Sequence, residues 1–116
     1  MDLDFIRKLC TSLSAVTEDI KWGNDLVFSV GGKMFCVASL EPPLTYSFKV
    51  KDEEFEELSH SNGFMPAPYM ARAKWVLVTQ PSKLNKKQCE QYIKQSYEMV
   101  KMKLTKKTRQ QLGIDR

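Results

Sequence analysis

Three cysteines and one histidine in 116 residues leave little material for catalysis or metal binding. Cys10, Cys36 and Cys89 are widely spaced and form no C-x-x-C pair, which excludes a zinc ribbon and a dithiol redox motif. Each lies on the apolar phase of its segment, where a free thiol behaves as a small hydrophobe. His60 ends an acidic stretch between Ser59 and Ser61, and it reads as a surface group at a helix C-terminus rather than as a base. No G-x-S-x-G, P-loop, H-E-x-x-H or G-x-G-x-x-G pattern occurs. The acid run Asp52-Glu53-Glu54-Glu56-Glu57 lacks the interrupting loop of a cation site and reads as an exposed helix face. No catalytic residue, metal or cofactor is expected.

Long apolar runs are missing as well. Nothing approaches the ~20 residues of a membrane span, and no internal repeat or low-complexity stretch is present. Met1-Asp2-Leu3-Asp4 is acidic where a secretory leader would be basic, so the cytoplasm is the expected compartment. What remains is ordinary: 42% apolar and 28% charged residues, the make-up of one globular domain spanning 1–116.

Periodicity orders the chain. Asp2 or Asp4 caps a first helix whose apolar face is Leu3, Ile6, Leu9/Cys10 and Leu13. A short edge strand over Thr17–Trp22 is one reading of the less regular stretch that follows. From Leu26 the period becomes two, and Gly31-Gly32 between alternating runs marks a tight hairpin, because its turn needs positive φ. Leu44–Val50 alternates again, apolar on one side and polar on the other. Asp52 opens an acidic helix closed by Asn62-Gly63. Pro66-Ala67-Pro68-Tyr69-Met70 reads as a constrained connection, and Trp75–Thr79 as a strand. Asn85 caps a long final helix to about Leu104, buried along Cys89, Ile93, Ser96/Tyr97 and Val100. Residues from about 105 to 116 read as a basic, frayed tail. The expectation is an α+β domain, α-β-β-β-α-β-α, with an antiparallel sheet of four to five strands, N- and C-terminal helices and one inserted helix.

The net charge of +4 is unevenly spread. Residues 1–82 hold eight bases and eleven acids, whereas residues 83–116 hold ten bases and three acids. A basic terminal helix on an acidic body is the footprint of phosphate-backbone binding, although lysines also favour any solvated helix face. Lys87, Lys94 and Lys101 recur every seven residues on that helix. Lysine outnumbers arginine heavily, so such binding would be salt-sensitive and weakly sequence-specific. Tyr69 and Trp75 flank Arg72 and Lys74, an aromatic–basic interleaving able to stack on bases. The plainer reading of Trp75 is core.

Several short segments, in this order, resemble the MmcQ/YjbR family. They are Trp22-Gly23, Gly31-Gly32-Lys33-Met34-Phe35, Lys49-Val50 before the acidic helix, Pro66-Ala67-Pro68-Tyr69-Met70, Lys74-Trp75-Val76, and Ser96-Tyr97 with Val100. The resemblance covers about Asp2 to Leu112. It implies a CyaY-like fold and a DNA-binding protein whose sheet hairpins act as wings. On that basis Lys33, Arg72, Lys74, Lys87, Lys94 and Lys101 are the expected nucleic-acid-binding residues, and Tyr69 and Trp75 the stacking candidates. Duplex DNA is the expected partner, with no membrane. The frataxin side of that fold would bring an acidic first helix for iron, but here the helix offers only Asp2 and Asp4, followed by Arg7 and Lys8. Two alternatives stand beside DNA: a protein partner on the acidic helix or sheet face, and a small molecule near Tyr69, Trp75 and Tyr97.

Overall fold

The computed structural model describes residues 1–115. Its first helix, α1 (Leu3–Thr11), starts where the Asp2 carboxylate accepts from the Phe5 amide at 2.9 Å, satisfying one of the free N–H groups of the first turn. Ile6 and Cys10 are its buried residues. Six strands follow: β1 (Val16–Lys21), β2 (Asp25–Val30), β3 (Lys33–Ser39), β4 (Tyr46–Lys49), β5 (Phe64–Pro66) and β6 (Trp75–Val78). They form one antiparallel sheet in the order β1-β2-β3-β4-β6-β5. The acidic helix α2 (Asp52–Leu58) lies between β4 and β5, and the long helix α3 (Lys86–Met102) follows β6. Asn85 caps α3 reciprocally with Gln88, two free donors being satisfied at once.

The alternation in sequence sets the two faces of the sheet. Leu26, Phe28 and Val30 of β2, Tyr46 and Phe48 of β4, and Val76 and Val78 of β6 pack with α1 and α3 into the main core. The opposite face carries Val27, Val37 and Trp75 as a smaller cluster, joined by Ala67 and Met70 from the β5–β6 connection. Strand β3 breaks the rule once. Phe28 pairs with Cys36 and Ser29 with Met34, so Phe35 is an extra residue in a β-bulge. Both Phe35 and Cys36 are therefore buried in the main core.

The fold is the expected α+β architecture with two differences. The sheet has six strands, because Val16–Lys21 does form an edge strand and because Phe64–Pro66 pairs with β6. A three-residue strand ending in proline has no readable period, and Pro66 is tolerated because β5 is an edge. The tail is not frayed. Thr105 caps a further helix, α4 (Lys106–Gln111), with its hydroxyl accepting from Thr108 N at 3.1 Å. Arg109 fastens α4 to the end of α3, donating to the Leu104 carbonyl at 2.7 Å and pairing with Asp115 at 3.1 Å. Ile114 is buried in the main core. Among the described residues no helix is long and apolar enough to cross a membrane.

Candidate nucleic-acid interface

Strand register gathers basic residues that lie far apart in the chain. The antiparallel pairings of Cys36 with Phe48 and of Lys49 with Trp75 put the start of β3, the end of β4 and the start of β6 at one end of the sheet. Lys33, Lys49, Lys51 and Lys74 accordingly share that end, with Arg72 on the 3₁₀ turn Ala71–Ala73 just before Lys74. The C-terminal end of α3 arrives there too, since a β-carbon on Gly31 would meet the Leu104 side chain at 2.7 Å. Lys103 caps that helix.

The electrostatics register the crowding. Partial burial, then the charge of Lys103 and further that of Lys74, hold the Lys49 ammonium below the ordinary lysine range, against the pull of Asp52. Lys49 donates to the Ala73 carbonyl. Lys74 lies over the Phe55 ring, 5.1 Å from its centre, and has a left-handed backbone with φ 63°.

The sheet face opposite α1 and α3 holds the second feature. The β5–β6 connection folds back across part of this face and leaves a groove of about 680 Å³, within the roughly 300–1,000 Å³ of small-ligand sites. Val37 and Leu77 form an apolar floor, edged by Asp25, Ser47 and Thr45. Two aromatic rings stand beside it. Trp22, on the β1–β2 turn, is 66% exposed, and Tyr69, on the β5–β6 connection, is fully exposed. Both have left-handed backbones, with φ 54° and 66°. That conformation costs a bulky L-residue on the order of 1 kcal/mol relative to glycine. Neither ring contributes to a buried cluster.

The residues expected from sequence divide into two groups. Lys33, Arg72 and Lys74 come together at the basic end, with Tyr69 on the same side as the groove. The helix lysines do not join them as a set. Lys87 and Lys101 are fourteen positions apart on α3, about 21 Å at the helical rise. Lys94 pairs with Glu90 at 2.7 Å and Lys101 with Glu98 at 3.1 Å, while Lys101 also lies 5.7 Å from the centre of the Tyr97 ring. Trp75 is not a stacking platform. It is buried beneath Ala67 and Met70, because its place on β6 points it into the cluster that the β5–β6 connection covers. Tyr97 belongs to the other side of the sheet, where its hydroxyl donates to the Ser14 carbonyl at 2.6 Å and its ring meets Phe35 edge-on. Tyr69, Trp75 and Tyr97 therefore form no common pocket.

Sequence reading also missed three contributors. Lys49 and Lys103 are distant in sequence from the residues they join, and only register and helix packing connect them. Trp22 was visible as half of a Trp-Gly dipeptide, but its exposure follows from the turn's backbone. The three cysteines are buried in the main core. Hydrogen bonding with Cys10 and burial push the Cys36 thiol up, and burial pushes Cys89 up to about 11. Both are held as unreactive thiols. Among the described residues no cluster of histidine, cysteine and carboxylate side chains is arranged to hold a metal ion.

Comparison with known proteins agrees on fold and family. The family model YjbR matches residues 11–99. A crystal structure of Deinococcus radiodurans protein DR2400, described as a DUF419 domain, superposes with a TM-score of 0.86 at 29% identity, covering 97% of this chain and 89% of that one. A protein from Pseudomonas syringae superposes with a TM-score of 0.72 at 17% identity, covering 86% of this chain and 99% of that one, and shares the fold. No curated protein matches.

Proposed function

The chain belongs to the YjbR family, and on that premise we propose that it is a non-catalytic nucleic-acid-binding module. It holds the phosphate backbone of DNA at the basic end of its sheet, with little sequence preference. The observation that carries this reading is the gathering, by strand register and by the end of α3, of Lys33, Lys49, Lys51, Arg72, Lys74 and Lys103 at one end of the sheet. Like charges crowded at one end raise the energy of the free protein, and a polyanion lying across them relieves it. Lys33, Arg72 and Lys74 supply the outer contacts. The scarcity of arginine suits backbone contact rather than the reading of base edges. Three unpaired cysteines suit the reducing cytoplasm as its place of work.

The test is a duplex titration across a salt series, using the wild type and a Lys33→Glu/Arg72→Glu/Lys74→Glu variant. The wild type binds at low salt, with log K falling linearly against log salt; each neutralised phosphate adds about 0.9 to that slope. The triple variant loses both the binding and the slope. A Lys87→Glu/Lys94→Glu variant, altered away from the basic end, keeps most of its affinity. Absence of binding at low salt, or equal binding by the triple variant, would remove this reading.

A further inference from the structure

The groove on the outer sheet face is unexplained by a site that touches only phosphates. Its floor is apolar at Val37 and Leu77, and Asp25, Ser39, Thr45 and Ser47 are the polar groups at hand. An acidic side chain there is the wrong charge for a phosphate but a good acceptor for the amino edge of a base. The two rings beside it are equally out of place for folding alone. Trp22 and Tyr69 leave most of their surface in water and occupy left-handed backbone positions, which asparagine or glycine adopts at lower cost. Exposed aromatic rings over an antiparallel sheet, with cations on the same domain, are the physical requirements for holding unstacked bases.

We infer that the groove between Trp22 and Tyr69 receives an unpaired base of a nucleic-acid strand whose phosphates run to the basic end of the sheet. This rests on the backbone-binding reading above and adds a substrate class to it: single-stranded or locally unpaired segments. The occupant belongs to a strand and is not a free nucleoside, because the groove's own charge is Asp25 while the cations that hold phosphate lie at the end of the sheet marked by Lys33, Lys49 and Lys74. A base in the groove thus needs neighbouring nucleotides to reach them.

The probes are a single-stranded oligo(dC) of twelve nucleotides, a duplex of equal length, and free deoxycytidine. Trp75 is buried and Trp22 exposed, so quenching of tryptophan emission reports on Trp22. The oligonucleotide quenches this emission, and Trp22→Asn abolishes the quenching. Trp22→Asn and Tyr69→Asn each weaken oligonucleotide binding about tenfold and leave duplex binding unchanged. Asparagine tolerates both backbone positions, so urea midpoints at or above the wild-type value certify intact folding. Wild-type oligonucleotide affinity in both variants would overturn the groove assignment while leaving backbone binding intact. Equal quenching by deoxycytidine at the same concentration would overturn the assignment to a strand. Failure of both oligonucleotide and duplex to bind at low salt would overturn the backbone reading, and the groove proposal with it.

Discussion

The Ser96 hydroxyl donates to the carbonyl of Phe35 at 2.6 Å, linking the last long helix to the bulge in the middle of the sheet. The bulge leaves Phe35 without a facing partner on β2, and the same hydroxyl accepts from the Lys49 amide at 3.0 Å. One buried serine thus satisfies backbone groups of two neighbouring strands.

Ser96→Ala is therefore expected to do more than remove two contacts. It leaves the buried Phe35 carbonyl and the part-buried Lys49 N–H without this partner, at a cost of about 2–4 kcal/mol. Urea denaturation measures it, and a loss below about 1 kcal/mol would show that the bulge finds its partners elsewhere.

Gly31 and Gly32 both have positive φ, 59° and 79°, but only Gly31 is closed in. A β-carbon there meets Leu104 Cδ1 and Cδ2 at 2.7 and 2.8 Å, whereas at Gly32 nothing lies within 4 Å. Gly32→Ala should cost about 1 kcal/mol for its backbone alone. Gly31→Ala should cost about 2–4 kcal/mol, because the end of α3 must also give way. Equal losses in parallel urea titrations would mean that the hairpin is not packed on Leu104.

Tyr46 Oη is the one buried side-chain polar atom among the described residues without a hydrogen-bond partner. The nearby Cys89 thiol is a weak one at best. Burial pushes the phenol above its ordinary range. Tyr46→Phe removes the orphaned group and keeps the ring between its neighbours, so it should be neutral or stabilise by about 1 kcal/mol. A loss of more than about 1 kcal/mol would reveal a hidden partner for the hydroxyl.

These particulars show where sequence reading ends. The Gly31-Gly32 hairpin, the Asn85 cap and the buried stripe through Ser96 were legible because turn chemistry and helical period are local. The bulge at Phe35 was not, since Met34-Phe35-Cys36-Val37 is apolar on both phases and carries no mark of the slip. Trp75 presents the same residues to the reader whether it is core or platform, and the cover from Ala67 and Met70 decides between them. Lys33 and Lys74 were singled out by resemblance, but their meeting with Lys49 and Lys103 depends on register. The exposure of Trp22 and Tyr69 rests on backbone angles that tertiary contacts impose.

The buried thiols give stability a pH dependence whose sign is fixed. Unfolded cysteine titrates near ~8.5, whereas Cys36 in the fold is held well above its ordinary value by bonding with Cys10 and by burial, and Cys89 at about 11 by burial. Above about pH 8.5 the unfolded chain therefore releases thiol protons that the folded chain keeps. Stability is full below that pH and falls as pH rises through the gap, by up to about 1.4 kcal/mol per unit per thiol. Lys49 acts oppositely. Its folded value is lowered, first by burial and then by Lys103, so it adds stability with rising pH between that lowered value and the unfolded ~10.4. Two thiols outweigh one partly exposed ammonium, and the net trend from pH 8 to 10 is downward. Urea denaturation under reductant should show the decline, made shallower in Cys36→Ala and in Cys89→Ala and steeper in Lys49→Met. Slopes rather than midpoints are compared, so the cavities left by the alanines do not enter. A flat wild-type profile over that range would mean that the thiols titrate as freely in the fold as out of it.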